Sequence, residues 1–163
     1  MSPLLSMKRI ELTQNKYALV DDNDFGYLNQ WKWYAVQYPH SWYAVRQHRR
    51  IDGKQRTIRM HRELIKVKKN EQIDHINHNG LDNRRENLRI CNLSQNKANS
   101  IRYQSNTSGF KGVHYHGKKW QARISYNNKR ISLGHFSSLN EAARAYNKAA
   151  LKYHGVFANL NKT

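Results

Sequence analysis

Residues 73–99, IDHINHNGLDNRRENLRICNLSQNKAN, decide how the chain is read. Ile73-Asp74-His75 ends an apolar approach, and residues 76–83 form a loop rich in Asn, Gly and Asp. Asn87-Leu88-Arg89-Ile90-Cys91 reads as a second short strand. Asn92-Leu93-Ser94-Gln95 reads as a helix entry, with Asn92 as the cap and Gln95 in the reciprocal position. Asn96 then lies in the first turns of that helix. Strand, loop, strand and helix predict that Asp74, His75 and Asn96 meet at one end of a small hairpin–helix unit. A carboxylate and an amide oxygen beside an imidazole suit hydrolysis of a phosphodiester with a divalent cation. The hard oxygens hold the ion. The neutral imidazole, titrating near the working pH, takes a proton from water.

Composition narrows the partner. The 163 residues carry 29 Lys and Arg against 11 Asp and Glu, a formal net charge of +18. That balance fits an acid-binding metabolic enzyme poorly and a polyanion well, because each phosphate neutralised releases counterions. Hydrophobic content of 38% and four tryptophans argue against a disordered basic tail. A single cysteine excludes a disulfide framework, and with it the zinc modules built on four cysteines or on two cysteines and two histidines. No apolar run reaches membrane-span length, and residues 1–10 lack a long apolar core with a cleavage site. The expectation is a soluble intracellular protein on nucleic acid, with no membrane and no protein partner implied.

Charge is distributed unevenly. Residues 1–73 have a net charge of +7, residues 74–104 of +2, and residues 105–163 of +9 with Glu141 the single acid. The stretch RYQSNTSG at 102–109 is polar and lacks hydrophobic periodicity, which suits a linker over 102–108. In the first of these regions, residues 16–20 (KYALV), 32–36 (KWYAV) and 42–46 (WYAVR) read as strands. A fourth run, 56–60, follows the turn signal Asp52-Gly53. Asp21, Asp22 and Asp24 match a calcium loop at only two or three positions, so capping of a short helix is the better account.

The C-terminal region predicts three antiparallel strands over 110–115, 120–126 and 129–136, turned at Gly117-Lys118 and Asn127-Asn128. Ser138 and Glu141 form a capping box for a helix that ends at Gly155. Ala142, Ala145, Ala149 and Ala150 keep one helix face small enough to lie close on the sheet. Alternation turns Trp120, Ala122, Ile124 and Tyr126 one way and Gln121, Arg123 and Ser125 the other, with Ile131 and Leu133 inward and Arg130 and Ser132 outward. A sheet with a basic outer face and a helix behind can lay its strands in the DNA major groove.

The segment from Met60-His61-Arg62 through residue 99 resembles the ββα-metal signature of His-Asn-His (HNH) nucleases, in the form found in phage and intron homing endonucleases. The likeness covers roughly a quarter of the chain, on a DH…N…NL…N spacing. It implies His75 as general base and Asn87 as the residue that braces the loop and orients His75. It places Asn96 where the name has its last His, as an oxygen ligand beside Asp74. An amide oxygen there favours Mg²⁺ or Mn²⁺ over Zn²⁺.

Residues 109–161 resemble the APETALA2/ethylene-response-factor DNA-binding domain, on GFKGVHYHGKKWQARI, RISLGHF, NEAARAYNKAALKYHG and the terminal ANLN. By position, the likeness implies that Lys111, His114, Arg123, Ser125, Arg130 and Ser132 face duplex DNA. Ser132 stands where the plant domains usually have tryptophan, and lysine and histidine replace the first-strand arginines. The docking mode carries over and the base preference does not.

The expected fold class is α+β: a small β-rich N-terminal module (1–73), a ββα-metal nuclease finger (74–101), a linker (102–108), and a three-stranded antiparallel sheet packed on one helix (109–161). His78 reads as a solvent or phosphate contact, and Cys91 as a small buried hydrophobe. His61 divides evenly between packing and a place near the site. The function expected is a metal-dependent, site-directed DNA endonuclease of homing type. It would be encoded by a phage or mobile element and act in the cytoplasm of a bacterial host. The alternatives are a restriction-type HNH nuclease and a non-catalytic DNA-binding regulator, for which the finger is only scaffold.

Overall fold

A computed structural model describes residues 6–49, 52–101 and 105–163. Of the linker read at 102–108, residues 102–104 lie outside the described residues. The chain is α+β, and it divides into two compact units, Met1–Cys91 and Asn92–Thr163. This partition differs from the three modules read from charge and composition. The β-rich N-terminal strands and the hairpin of the finger share one core, whereas the helix after that hairpin belongs to the second unit.

In the first unit, β1 (Met7–Glu11) and β2 (Tyr17–Asp21) form an antiparallel hairpin, turned through Gln14 and Asn15 at φ 62° and 52°. Helix α1 (Asp22–Leu28) follows. A meander of β3 (Tyr34–Tyr38), β4 (Ser41–Arg49) and β5 (Gln55–Arg59) comes next, then α2 (Met60–Leu64). The third strand starts later than residue 32 because Trp33 turns into the core, its Nε1 donating to the Leu28 carbonyl at 2.8 Å. Antiparallel β6 (Gln72–His75) and β7 (Leu88–Cys91) complete the unit, with a 3₁₀ turn at Arg85–Asn87. Ile73 and Leu88 of this last hairpin pack with Ile10, Val20, Leu28, Trp33 and Met60.

The acidic cluster does not cap α1. Asp21 stands at the N-cap position, but its side chain makes no capping bond; its Oδ2 accepts from the Arg85 N–H at 2.7 Å. Asp24 takes both arms of the Arg85 guanidinium at 2.8 Å, and Asp22 pairs with Lys8 at 2.9 Å. For Asp24 and Asp22 a charged donor outcompetes the orphan N–H groups of a seven-residue helix, and for Asp21 the backbone N–H of Arg85 takes the oxygen.

In the second unit, α3 (Leu93–Asn99) leads to a sheet ordered β10-β9-β8, from β8 (Val113–His116), β9 (Lys119–Tyr126) and β10 (Lys129–Phe136). Helix α4 (Leu139–His154) lies on one face. Val113, Ala122 and Ile124 pack there against Ala142, Ala143, Tyr146, Ala149 and Ala150. Gly117-Lys118 and Asn127-Asn128 all adopt positive φ, as tight two-residue hairpin turns require. Gly112, at φ 73°, lies so close to the Tyr146 ring and the Arg123 carbonyl that no side chain fits. Among the described residues, no helix is long and apolar enough to cross a membrane.

Candidate functional site

Strand β6 delivers Asp74 and His75 side by side, both buried, at its C-terminal end. Asp74 lies opposite Arg89 on β7, whose Nε donates to Asp74 Oδ2 at 2.9 Å while Nη2 makes an ion-pair contact with the same oxygen at 2.8 Å. One oxygen of the carboxylate is thereby oriented by the guanidinium.

The loop after His75 is tied down at every level. The Ile76 N–H donates to the Asn87 carbonyl at 2.9 Å, and the His78 N–H to the His75 carbonyl at 3.0 Å, with His78 at φ 64°. Asn87 spans the loop with its amide: Oδ1 accepts from the Asn77 N–H at 3.0 Å, and Nδ2 donates to the Asp82 carbonyl at 2.8 Å. The Asp82 carboxylate holds Asn77 Nδ2 and the Arg84 guanidinium, each contact at 2.8 Å. Gly80 donates to Ser41 Oγ at 2.8 Å, and a Cβ there would meet the Trp42 carbonyl at 2.5 Å. On either side of Asp82, the Leu81 carbonyl accepts from the Leu19 N–H and the Asn83 N–H donates to the Leu19 carbonyl, each at 2.8 Å, which ties the loop to β2.

The His75 ring sits in an aromatic setting. It meets His61 edge-on at 5.0 Å between centroids and Tyr43 at 5.7 Å, while Tyr43 also meets His61 at 5.8 Å. Burial pushes the His75 pKa below the ordinary histidine value, against the opposing pull of the Asp74 and Asp82 carboxylates. His61 is pushed down to about 2, first by burial and then by His75, Arg59 and Arg62. Both imidazoles are therefore neutral at pH 7. Burial raises the Cys91 thiol to about 11, and its Sγ faces the Gln72 carbonyl at 3.7 Å; it packs as a small hydrophobe.

The structure thus brings Asp74, His75 and Asn87 together in the first unit. Asn96 stands half-buried on α3 of the second, behind a complete capping box in which Asn92 Oδ1 accepts from the Gln95 N–H at 2.9 Å and Gln95 Oε1 from the Asn92 N–H at 2.8 Å. Among the described residues, no group of three or more His, Cys, Asp or Glu is arranged to hold a metal ion. The Asp74 carboxylate offers hard oxygen, a donor that fits Mg²⁺ or Mn²⁺ better than Zn²⁺.

The second unit presents a basic sheet face. Arg130 lies opposite Ser125, Ser132 opposite Arg123, and His114 opposite Gln121. Arg123, Ser125, Arg130 and Ser132 are exposed, and His114 is half-buried. Burial, then the neighbouring Arg123, lowers the His114 pKa. The irregularity between Ser132 and Gly134 reverses the parity of β10, so His135 joins this face opposite Gln121. Strict alternation hides that residue. Lys111 does not join the face: its Nζ donates to the carbonyls of Lys97, Ala98 and Ser100. The sequence carries no signal for that contact, nor for the packing of Tyr43 on His75; His61, read as either packing or near the site, does both.

Comparison with known proteins agrees with two kinds of chemistry. Residues 66–98 match the HNH endonuclease family. The chain is also similar to ethylene-responsive transcription factor WRI1 of Arabidopsis thaliana, 36% identical over 73 residues, which is 42% of this chain and 17% of that protein. AP2-like ethylene-responsive transcription factor CRL5 of Oryza sativa subsp. japonica is 44% identical over 64 residues, 36% of this chain and 10% of its own length. An ethylene-responsive transcription factor-like protein of Arabidopsis thaliana is 55% identical over 40 residues, 24% of this chain and 18% of its own. The chain thus spans less than a fifth of these relatives. No solved structure gives a significant match.

Proposed function

We propose that the protein is a divalent-metal-dependent DNA endonuclease of the HNH type, with homing as its role, and that the sheet of its second unit docks it on duplex DNA. The observation that carries this reading is the buried Asp74-His75 pair at a strand end, its loop spanned by Asn87, inside the segment that matches the HNH endonuclease family. The AP2-like relatives support the DNA-docking half.

In this mechanism His75 is the general base. Its depressed pKa keeps the imidazole neutral at pH 7 and ready to accept a proton from the attacking water. Tyr43 and His61 hold the ring by packing, and Asn87 holds the turn that aims it. Asp74, oriented by Arg89, and Asn96 would hold Mg²⁺ or Mn²⁺. Such an ion, when bound, polarises the phosphate and stabilises the departing alkoxide. His114, Arg123, Ser125, Arg130 and Ser132 are the residues proposed to face DNA. Lys111 is left out because its ammonium is already spent within the unit. The setting proposed is a bacterial cell that carries the encoding phage or mobile element.

The deciding experiment maps cleavage on a randomised duplex library with Mg²⁺, beside the His75→Ala variant. Discrete cuts that vanish in the variant establish the nuclease. Site-specific binding without any cut would instead establish the non-catalytic regulator, the reading the transcription-factor relatives favour.

A further inference from the structure

In the first unit, the described arginines that are buried or half-buried are Arg46, Arg59, Arg84 and Arg89. All but one hold a carboxylate. Arg46 reaches Glu63 at 3.2 Å, Arg84 reaches Asp82 at 2.8 Å, and Arg89 reaches Asp74 at 2.8 Å. Arg59 is the exception: among the described residues its guanidinium makes no hydrogen bond and no ion pair. A guanidinium drawn halfway out of water without an acceptor forgoes hydration for nothing, unless an anion completes it.

What holds Arg59 is aromatic. It lies opposite Val45, on the face of the β3–β5 meander that also carries Tyr38 and Tyr43. The guanidinium stands over the Tyr38 ring at 4.9 Å and the Tyr43 ring at 5.5 Å. Such stacking fixes the plane of the group and consumes none of its five N–H donors. Nothing on these strands competes for them, because β3, β4 and β5 contain no Asp or Glu. Further along the face, Gln47 bonds Tyr34 Oη at 2.6 Å and Thr57 Oγ1 at 3.3 Å, so the neighbours are polar and neutral. Arg46 has the opposite parity on β4 and turns away, to Glu63.

Tyr43 links this cation to the candidate active site. One ring is shared: it carries Arg59 and meets His75 at 5.7 Å. Two residues before it, Ser41 Oγ accepts from the Gly80 N–H of the loop that follows His75. We propose that Arg59 is a DNA-binding residue that takes a backbone phosphate beside the one to be cut, and so sets the strand against His75. A flat guanidinium with free donors matches two phosphate oxygens at once. The neighbouring phosphate is the one assigned, because the Tyr43 ring separates Arg59 from His75. The inference rests on the nuclease reading and names a further part of the same site.

The test measures binding of the full chain to its preferred duplex in EDTA, so that it does not depend on cleavage. Arg59→Met should weaken binding about tenfold at low salt and flatten the log–log salt dependence by about 1, the share of one phosphate. Arg59→Lys should keep the slope and lose part of the affinity, since it retains the charge without the fork. Duplexes with a single neutral methylphosphonate, moved one position at a time, locate the contact. One position next to the cut should weaken the wild type and leave Arg59→Met unaffected. Equal salt slopes, or the same methylphosphonate profile in both proteins, would overturn the assignment. A profile that differs only at the cleaved phosphate would overturn the neighbour assignment. If Arg59→Met fails to fold, Arg59→Gln, whose planar amide can still stack, decides by the same measurements. A wild type that binds and never cuts with Mg²⁺ fails the nuclease reading instead, and the scan still reports whether Arg59 holds a phosphate.

Discussion

His61 and His75 meet edge to face, their ring centroids 5.0 Å apart and their planes at 81°. Both are buried, and the arrangement tolerates little positive charge. His61, at about 2 in the folded protein, titrates near 6.5 when unfolded. Between those values the unfolded chain binds the extra proton, so stability falls as pH drops below about 6.5 and is flat above it. The slope is about 1.4 kcal/mol per pH unit, or about 2 kcal/mol between pH 7.5 and 5. Urea unfolding of the wild type and of His61→Phe at both pH values checks this. The variant should lose that share of the acid sensitivity, and an identical pH difference in both proteins would refute it.

Replacing His75 by alanine should lower the cleavage rate by about 10²–10⁴ and leave DNA affinity within a few-fold, since a general base contributes to the transition state and little to ground-state binding. Single-turnover rates beside gel-shift affinities separate the two quantities. Wild-type rates in the variant would remove His75 from the mechanism.

Cleavage should require Mg²⁺ or Mn²⁺ and stop in EDTA. Asn96→Ala should raise the metal concentration at half-maximal rate. Asp74→Ala should do more damage, because it deletes the charged donor and strands the Arg89 guanidinium, at a cost in stability of about 3–5 kcal/mol for a broken buried pair. Metal titrations with thermal melts at each variant distinguish lost affinity from lost fold. Full activity in EDTA would contradict the donor set.

On the sheet face, Arg123→Ala and Arg130→Ala in a His75→Ala background should each cost about 1–3 kcal/mol of DNA affinity if they make bidentate base contacts. The loss would then be confined to the preferred site. A phosphate contact would weaken every sequence alike and flatten the salt dependence. Unchanged affinity in the double variant would make the sheet a bystander. A fragment made for this purpose should begin at Asn92, since residues 97–100 are bonded to Lys111 and Asn159.

Gly112→Ala should destabilise the second unit by more than about 2 kcal/mol, combining strain at positive φ with a clash against Tyr146. Thermal unfolding followed by the near-ultraviolet signal of the second unit measures it. A change below 0.5 kcal/mol, the scale of an ordinary surface substitution, would show that Tyr146 can move aside.

What could be read in advance was local. The capping boxes at Asn92/Gln95 and Ser138/Glu141, the positive-φ turns and the alternation of β9 all depend on neighbours a few residues apart, and all are present. Strand β1 escaped because only Ile10 of its five residues is buried, too little for a period to show. His135 escaped because one extra residue in β10 exchanges inside for outside. Around the candidate site, Asp74, His75 and Asn87 are legible as a spaced set and His61 as a residue that packs or lies near it, but Arg89 and Tyr43 are not. Arg89, Tyr43 and His61 reach the site through strand pairing and packing, and Asp21 and Asp24 are drawn off their capping role by an arginine more than 60 residues away.

That last pairing bears on inheritance and on engineering. The turn that carries Asn87 is riveted by Arg85 to two aspartates contributed by the beginning of the chain. A gene segment encoding only the matched residues 66–98 would leave Arg85 without its counterparts and Ile73 and Leu88 without a core. The part that packs as one body is therefore the whole Met1–Cys91 unit. A cut after β7 keeps that core whole but leaves α3, and Asn96 with it, to the second unit, so a graft that is to keep Asn96 must extend through α3.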